Sequence, residues 1–397
     1  NTLYIEIIQT ICLLMTYSVH QHWDRLKVCA VGISYPPEFY SFIKNSKARS
    51  VMERIAQETE EDYQNLINLL HKFDVKTVRP NLGNELSQYF EANGTPMTPH
   101  FMTPRDYTAM IGDTFYTPHL KPMANNIWND IRGEDWTAEY PGWDNLESWI
   151  KQELEEVHNV GKNRIDFDPV VDALAPIIEL VQQQGNNIIE TSGEINSAMI
   201  TRIGKDLYHG TDSYEQDQTK LLQERNKLFP NCRNHVVNSG GHSDATFCPV
   251  KPGLIVSLRD IPTYQDTFPD WEVVYLPGQS WESVMPFLEL KEKNRGKFWV
   301  PGEEYNDDFT NVVNTWLNDW VGYVEETVFD VNMLVIDEHN VIVNNENDQV
   351  FEAFERHGIT PHICNFRHRY FWDGGIHCIT SDLHREGTQQ NYFPERD

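Results

Sequence analysis

The stretch Phe371-Trp-Asp-Gly-Gly-Ile-His-Cys-Ile-Thr-Ser-Asp-Leu-His384 places a cysteine directly after a histidine and two glycines. Gly374 and Gly375 allow backbone conformations that are closed to other residues, and they allow a close approach to a ligand. The stretch therefore predicts a loop that presents the Cys378 thiol to a small substrate. From these residues alone, a buried structural cysteine on a tight turn is the alternative, since free cysteine is often buried.

A second motif lies well upstream. Gly241-His-Ser-Asp-Ala-Thr-Phe247 is a His-x-Asp in a polar loop that is led by glycine and runs into an apolar strand. Nucleophilic thiol chemistry needs a histidine that folding brings to the cysteine, even when the two are far apart in sequence. We therefore take His242 as the candidate partner of Cys378.

A third motif, Met102-Thr-Pro-Arg-Asp106, completes a set that spans roughly residues 100–390. In order and local form the three motifs resemble those of the arginine:glycine amidinotransferase family, within the guanidine-modifying pentein superfamily. The resemblance implies a five-bladed α/β-propeller of strand–helix modules around a central channel. It also implies one catalytic domain over residues 1–397, in which residues 278–325 have the composition of an insertion.

The residue pattern is compatible with that fold, because strand–helix modules recur about five times. One example is a strand near residues 23–32, an amphipathic helix over 47–73 and a strand over 74–79. A single strand is predicted from Tyr107 through Tyr116. Residues 120–165, with several tryptophans, are expected either to wall off a pocket or to pack at the periphery.

Composition limits the partners. The 397 residues are 40% hydrophobic and 12% aromatic, which suits a globular core, and the formal net charge is −28. That charge argues against nucleic acid and anionic membranes, and it favours small cations such as L-arginine. We expect small-molecule partners, L-arginine and an amine acceptor. A homodimer is one assembly open to the chain.

Cysteine usage and the N-terminal apolar run both indicate which cellular compartment the protein occupies. Six scattered cysteines without CxxC spacing predict reduced thiols and no disulfide framework. No zinc-type ligand cluster is visible, and neither a metal nor a cofactor is expected. The apolar run Ile5–Met15 is too short to span a bilayer and lacks a basic export region, so we expect a core segment and a cytoplasmic protein.

The resemblance assigns roles that the chemistry requires. Cys378, as a thiolate, would attack the guanidinium carbon, and His242 would move protons to and from the amines. Asp106 and Asp244 match the family positions that clamp the guanidinium, whose planar fork of donors suits paired carboxylates. From the residues alone, Asp106 could equally be a turn cap and Asp244 an ordinary loop acid.

The chain departs from the family at the segment Asn196-Ser-Ala-Met199, where the family has a carboxylate that holds the histidine. Asn196 can orient an imidazole through its side-chain oxygen, but it cannot stabilise an imidazolium as a carboxylate would. Glu194 and Asp206 are the nearby carboxylates that could assist. The sequence therefore makes Asn196 a candidate catalytic-site residue with an altered role.

Two further positions concern the substrates. Arg259 is the candidate anchor for the α-carboxylate of the substrate. Asp330 stands where the family has a serine, and an aspartate there would repel a carboxylate acceptor or prefer a cationic one.

The leading functional hypothesis is an amidinotransferase that moves the amidino group of L-arginine through a Cys378 adduct to a primary amine. Glycine is the default acceptor, and ornithine and guanidinoacetate are then the products. A deiminase- or dihydrolase-type hydrolase, with water as acceptor, is the alternative within the enzymes. A catalytically impaired arginine-binding protein is the alternative outside them, and Asn196 is the residue that favours it.

Overall fold

The computed structural model describes residues 16–82, 101–118, 169–191, 195–211, 215–239, 241–258, 264–276, 300, 302–303, 305–313, 331–369, 371–372 and 374–397. Within these residues the strands form five three-stranded sheets. In each sheet the middle strand is antiparallel to one neighbour and parallel to the other.

In chain order the strands are β1 (Arg25–Val31), β2 (Lys76–Val78), β3 (Ala109–Ile111), β4 (Thr114–Pro118), β5 (Asn187–Thr191), β6 (Ile200–Ile203), β7 (Asp206–Thr211), β8 (Arg233–Asn238), β9 (Phe247–Lys251), β10 (Leu254–Ser257), β11 (Glu272–Tyr275), β12 (Leu334–Asp337), β13 (Asn340–Val343), β14 (Thr360–Ile363) and β15 (Thr380–Glu386). The helices are α1 (Ser46–Lys72), α2 (Pro169–Gln183), α3 (Glu215–Leu228), α4 (Tyr264–Thr267), α5 (Asp307–Val312) and α6 (Asp348–Arg356).

Parallel neighbours need a crossover, and a helix supplies it in every sheet. Four sheets are continuous in the chain, with the orders β3–β4–α2–β5, β6–β7–α3–β8, β9–β10–α4–β11 and β12–β13–α6–β14. The remaining sheet is assembled from both ends of the described chain, because β15 pairs with β1 before α1 and β2 complete the module. The five-bladed α/β architecture is therefore confirmed.

Helix α1 shows how the sequence forms these modules. The Asn45 side chain accepts hydrogen bonds from the N–H groups of Lys47 and Ala48, which caps the helix. Its apolar residues recur at helical spacing, so that one face, including Ile55 and Leu66, is buried against the core. The predicted helix over 47–73 is confirmed within one residue at each end.

The prediction of a single strand from Tyr107 to Tyr116 is wrong. The structure makes a hairpin there, in which β3 and β4 are joined by Gly112 and Asp113, and Ile111 pairs with Thr114. Gly112 has a φ of 59°, a conformation that side-chain-bearing residues rarely adopt. The turn chemistry of Gly-Asp therefore interrupts what reads as one β-rich run.

Other predicted segments differ in outcome. The predicted hairpin on either side of Asp337–Asn340 is confirmed by β12 and β13. The run Ile5–Met15, residues 120–165 and most of the expected insertion at 278–325 lie outside the described residues. No helix in the described part of the chain combines the length and apolar character needed to cross a membrane.

A buried charge cluster joins the sheets. Asp382 on β15 accepts hydrogen bonds from Arg105 at 3.2 Å, from Arg202 at 2.7 and 2.8 Å, and from Arg385 at 2.7 Å. Burial by itself raises the pKa of Asp382, but the three guanidinium groups outweigh it and hold that pKa well below its ordinary value. Arg385 also donates to the Val335 carbonyl, so the Asp382 cluster connects four of the five sheets.

Replacing Asp382 tests this cluster. Asp382→Asn keeps the shape but leaves three buried guanidinium groups without a counter-charge, so we expect a loss of about 3–5 kcal/mol in the free energy of unfolding. Urea denaturation measures it. The matched control is Glu53→Gln, which breaks the exposed Arg49–Glu53 pair at 3.6 Å and should cost less than about 1 kcal/mol. Equal losses in the two variants would contradict a stabilising cluster.

Candidate active site

One short turn precedes the first antiparallel strand of each sheet, and the residues with candidate chemistry lie on these five turns. They are Asp106 before β3, Asn196 before β6, Asp244 before β9, Asn332 before β12 and Cys378 before β15. Two of the turns, Pro104–Asp106 and Ser243–Ala245, are single 3₁₀ turns. Because the five strands are equivalent in their sheets, the turns can meet on one side of the assembly.

Hydrogen bonds link these turns into a closed ring, which we call the ring of turns. Its links are Ser197 N–H to the Arg105 carbonyl (3.0 Å), Ser243 N–H to the Ala198 carbonyl (2.9 Å), Asn332 Nδ2 to the Asp244 carbonyl (3.4 Å), Cys378 N–H to Asn332 Oδ1 (3.0 Å) and Arg105 Nε to the His377 carbonyl (2.7 Å). Segments far apart in sequence are thereby held together at one site.

Cys378 lies inside this ring, with 1% of its surface exposed. Its Sγ is 2.9 Å from Asn332 Nδ2 and 3.6 Å from Asp244 Oδ2. Gly374 has a φ of 104°, and a Cβ there would lie 3.0 Å from the Cys378 Cβ. The glycine is thus required for the turn, and the thiol is brought to the predicted carboxylate.

Asp244 is the carboxylate beside the thiol. Its Oδ2 accepts a hydrogen bond from His377 Nδ1 at 2.7 Å, while its buried Oδ1 has no hydrogen-bond partner among the described residues. Burial raises the pKa of Asp244, but the hydrogen bond from His377 and the charges of His242 and Arg105 hold it below the ordinary value. Asp244 is therefore a charged, buried acceptor.

His377 is a site residue that the sequence interpretation did not include. Burial and the charge of Arg105 lower the pKa of His377 to about 4, despite the opposing effect of Asp244. The ring is therefore neutral near pH 7, and Nδ1–H is the donor to Asp244. The available signal was its position directly before Cys378, which sets both side chains on one turn.

His242 begins the Ser243–Ala245 turn and is half-buried. A charge on His242 is one of the smaller causes that lower the pKa of Asp244, after the hydrogen bond and charge of His377, so the imidazole lies near the site. The role of His242 in proton transfer stays a prediction.

Asp106 and Asn196 occupy their own turns in the ring. Asp106 ends the Pro104–Asp106 turn, and its neighbour Arg105 binds the Asp382 cluster. Asn196 Oδ1 accepts the Met199 N–H at 3.0 Å, so this amide caps its own turn. A guanidinium contact for Asp106 and a contact of Asn196 with His242 stay predictions.

Four other sequence candidates are not found at the ring of turns in the described part of the chain. Arg259, Asp330 and Glu194 lie outside the described residues. Asp206, considered as an alternative partner for His242, binds His235 at 2.6 Å and Arg233 at 2.6 Å between β7 and β8. That carboxylate is committed to a separate ion-pair network.

Three other buried thiols are held in the neutral form. Burial raises the pKa values of Cys29, Cys248 and Cys364 to about 12, so each remains a neutral thiol and a poor nucleophile. None of the described cysteines forms a disulfide. In the same residues, no group of three or more histidine, cysteine or acidic side chains could hold a metal ion.

A cleft of about 600 Å³ lies away from the ring of turns. It lies between the β3–β4–β5 and β6–β7–β8 sheets and is lined by residues that include His20, Asp113, Tyr116 and Cys232. None of the five turn residues lines it. We assign the candidate site by the juxtaposed thiol, carboxylate and histidine rather than by cleft size.

No protein-family model matches the chain. Glycine amidinotransferase, mitochondrial, of Xenopus tropicalis is 22% identical over 94% of the chain and 84% of its own length. L-arginine:L-lysine amidinotransferase of Pseudomonas savastanoi pv. phaseolicola is 19% identical over 94% and 96%. Inosamine-phosphate amidinotransferase 1 of Streptomyces glaucescens is 23% identical over 94% and 98%.

Solved structures share the fold. An amidinotransferase from Microseira wollei superimposes with a TM-score of 0.57 at 17% identity, covering 96% of this chain and 100% of its own. The inosamine-phosphate amidinotransferase of Streptomyces griseus gives 0.51 at 19% identity, with 95% and 99% covered. The chain is therefore similar over nearly its full length to several amidinotransferases and shares the fold of two of them.

Proposed function

We propose that the chain is an amidinotransferase that takes the amidino group of L-arginine onto Cys378, releases ornithine and passes the group to a primary amine. The observation that carries the proposal is the Cys378 thiol held 3.6 Å from the charged Asp244 carboxylate, inside the ring of turns. The curated relatives, all named amidinotransferases, support the same reaction class.

Binding of the donor follows from charge and hydrogen-bonding capacity. A guanidinium group has five N–H donors in one plane, and Asp244 Oδ1 is a buried acceptor without a hydrogen-bond partner among the described residues. Asp106, on the turn before β3, is the second proposed carboxylate. The net charge of −28 also raises the local concentration of cations near the protein.

The first step forms a bond between Cys378 Sγ and the guanidinium carbon. With no substrate bound, the thiol lies within reach of Asp244 Oδ2, and the carboxylate opposes a second negative charge on sulfur. A bound guanidinium offsets that charge and favours the thiolate. His242 then receives the thiol proton and gives it to the departing amine as the C–N bond breaks, which releases ornithine.

The second step regenerates the enzyme. The acceptor amine attacks the carbon of the S-amidino group, a C–N bond forms, the S–C bond breaks and sulfur leaves as thiolate. His242 removes the proton that the amine loses on attack. With glycine as acceptor the product is guanidinoacetate. Protons and electron pairs balance without an oxidant or a cofactor.

The acceptor is the least constrained part of the proposal. The relatives are named for different acceptors, glycine, L-lysine and an inosamine phosphate, and glycine is our default for this chain. Asp330 favours a cationic acceptor on the sequence argument given above. Incubation with labelled arginine and a panel of amines identifies the acceptor by its labelled guanidino product.

The same product analysis separates the alternatives. A hydrolase forms citrulline or ammonia without an amine, and an arginine-binding protein forms no product. A cytoplasmic location and a homodimer stay predictions, and the Xenopus tropicalis relative is named as mitochondrial.

Cys378 should become covalently modified. Mixing with arginine in the absence of an acceptor should add one amidino group, detected by intact-protein mass and mapped by peptide mass spectrometry. Cys378→Ala should not gain the group, whereas Cys364→Ala, which removes a buried inert thiol, should. Ornithine release by Cys378→Ala at the wild-type rate would overturn the nucleophile assignment.

Asp106 and Asp244 should act on guanidinium binding. Asp106→Asn or Asp244→Asn leaves a desolvated cation without its counter-charge, at a cost of about 3–5 kcal/mol, so arginine turnover should fall at least about 100-fold. Steady-state kinetics measure the loss, with circular dichroism to verify folding. Asp337→Asn, at the β12–β13 turn, is the control. Near-normal kinetics in either site variant would remove that carboxylate from the site.

Asn196 should determine the pH profile if it supports His242. Asn196→Asp adds a charge that stabilises the imidazolium, so the pH–rate profile should move upward. Asn196→Ala removes the amide oxygen and should lower turnover. Asn234→Asp, the same change beside buried His209 at 3.0 Å, is the control and should leave the profile unchanged. Unchanged rates and profiles in both Asn196 variants would exclude it as the partner of His242.

A further inference from the structure

Asn332 occupies the turn before β12, the position in the fifth sheet that corresponds to Asp106, Asn196, Asp244 and Cys378 in the other four. It is completely buried. The sequence comparison selected Asp330 for this turn, two residues earlier, and assigned nothing to Asn332. The structure instead places the Asn332 amide directly against the nucleophile.

The hydrogen-bond network determines how the Asn332 amide is oriented. Its Oδ1 accepts from the N–H groups of His377 at 2.8 Å and Cys378 at 3.0 Å, and an N–H can only donate. The Nδ2 group therefore faces the other way, towards Cys378 Sγ at 2.9 Å and the Asp244 carbonyl at 3.4 Å. A carbonyl can only accept, so both sides of the amide require the same orientation.

Packing holds the amide in place. A Cβ at position 375 would lie 2.7 Å from Asn332 Oδ1 and 2.9 Å from its Cβ, so only glycine fits beneath this side chain. From the other side, Asn344 Nδ2 donates to the Asn332 carbonyl at 3.4 Å. Gly375 in the opening motif is thus explained by its contact with Asn332.

We propose that Asn332 is a positioning residue that holds the Cys378 turn and donates a hydrogen bond to the thiolate. The proposal rests on the proposed function in that Cys378 is taken as the nucleophile. A hydrogen bond to a charged acceptor is about twice as strong as one to a neutral acceptor, so the Asn332 donor favours sulfur as thiolate. It offsets the opposing charge of Asp244 at 3.6 Å.

Other ionisable groups surround the thiol and must be kept constant in any test. Asp244 and His377 contact each other beside it, His242 acts on Asp244, and Arg105 lies behind the turn with its Nε on the His377 carbonyl. A substitution at Asn332 removes none of these groups. In a variant that adds no charge, a change in thiolate formation can then be attributed to the amide itself.

Substitutions at Asn332 test whether its amide donates a hydrogen bond to the thiolate. The Asn332→Asp variant retains an oxygen that accepts from His377 and Cys378, but it replaces the donor to Sγ with a carboxylate oxygen. The ultraviolet absorbance of the thiolate, followed against pH, reports the protonation of Cys378 after subtraction of the same variant carrying Cys378→Ser. We expect the midpoint to rise by about two pH units in Asn332→Asp and about one in Asn332→Ala.

One control and one uncharged variant decide the outcome. Asn234→Asp is the same substitution on β8, where the side chain bonds His209, and it should leave the midpoint unchanged. Because the added carboxylate of Asn332→Asp raises the midpoint by its own charge, the uncharged variant Asn332→Ala decides the outcome. An Asn332→Ala protein that folds and titrates like the wild type would overturn the proposal, and should it not fold, Asn332→Ser decides it in the same way.

The titration is independent of amidino chemistry. A wild-type protein that forms no adduct with arginine would contradict the proposed function, yet the midpoint shift would still establish the donor. A normal adduct together with an unshifted midpoint would contradict the role of Asn332 and leave the proposed function intact.

Discussion

The Asp382 cluster is the interaction on which both the fold and the site depend. Three buried guanidinium groups share one carboxylate, and a buried charge without its partner is costly, so the sheets that supply these groups must assemble together. Arg105 extends this constraint to the candidate site, because its Nε also donates to the carbonyls of His377 and Thr380 on either side of Cys378. The turn that carries the thiol is therefore anchored to the same cluster that joins the sheets.

The charges around the site follow from this arrangement. Arg105 contributes to lowering the pKa values of both Asp244 and His377. The carboxylate consequently remains charged while the histidine remains neutral and donates through Nδ1. Because His377 is neutral, the pair that it forms with Asp244 keeps a net negative charge. A protonated His377 would instead cancel the charge of the carboxylate. Thiol, carboxylate and histidine thus form one electrostatic unit.

Much of the fold was accessible to sequence interpretation, and the limits have identifiable causes. Helix α1 and the β12–β13 hairpin are local structures, specified by apolar periodicity, caps and turn residues, and both were predicted. The β3–β4 hairpin was missed because the Gly112-Asp113 turn lies within a run of β-forming residues. At the site, the motif comparison identified Cys378 and Asp244, which the structure brings together.

The sequence by itself supplied the candidate side chains Cys378, His242, Asp244 and Asp106, and it left out His377 and Asn332. It could not determine which of them touch. Asn332 and Cys378 are joined by hydrogen bonds that span the last two sheets, and Asp244 and His377 meet although they lie 133 residues apart in the chain. Such contacts depend on the pairing of β15 with β1, which lie at opposite ends of the described chain. This long-range pairing leaves no periodicity or spacing in the sequence. Only the tertiary structure therefore decided the partners of the thiol.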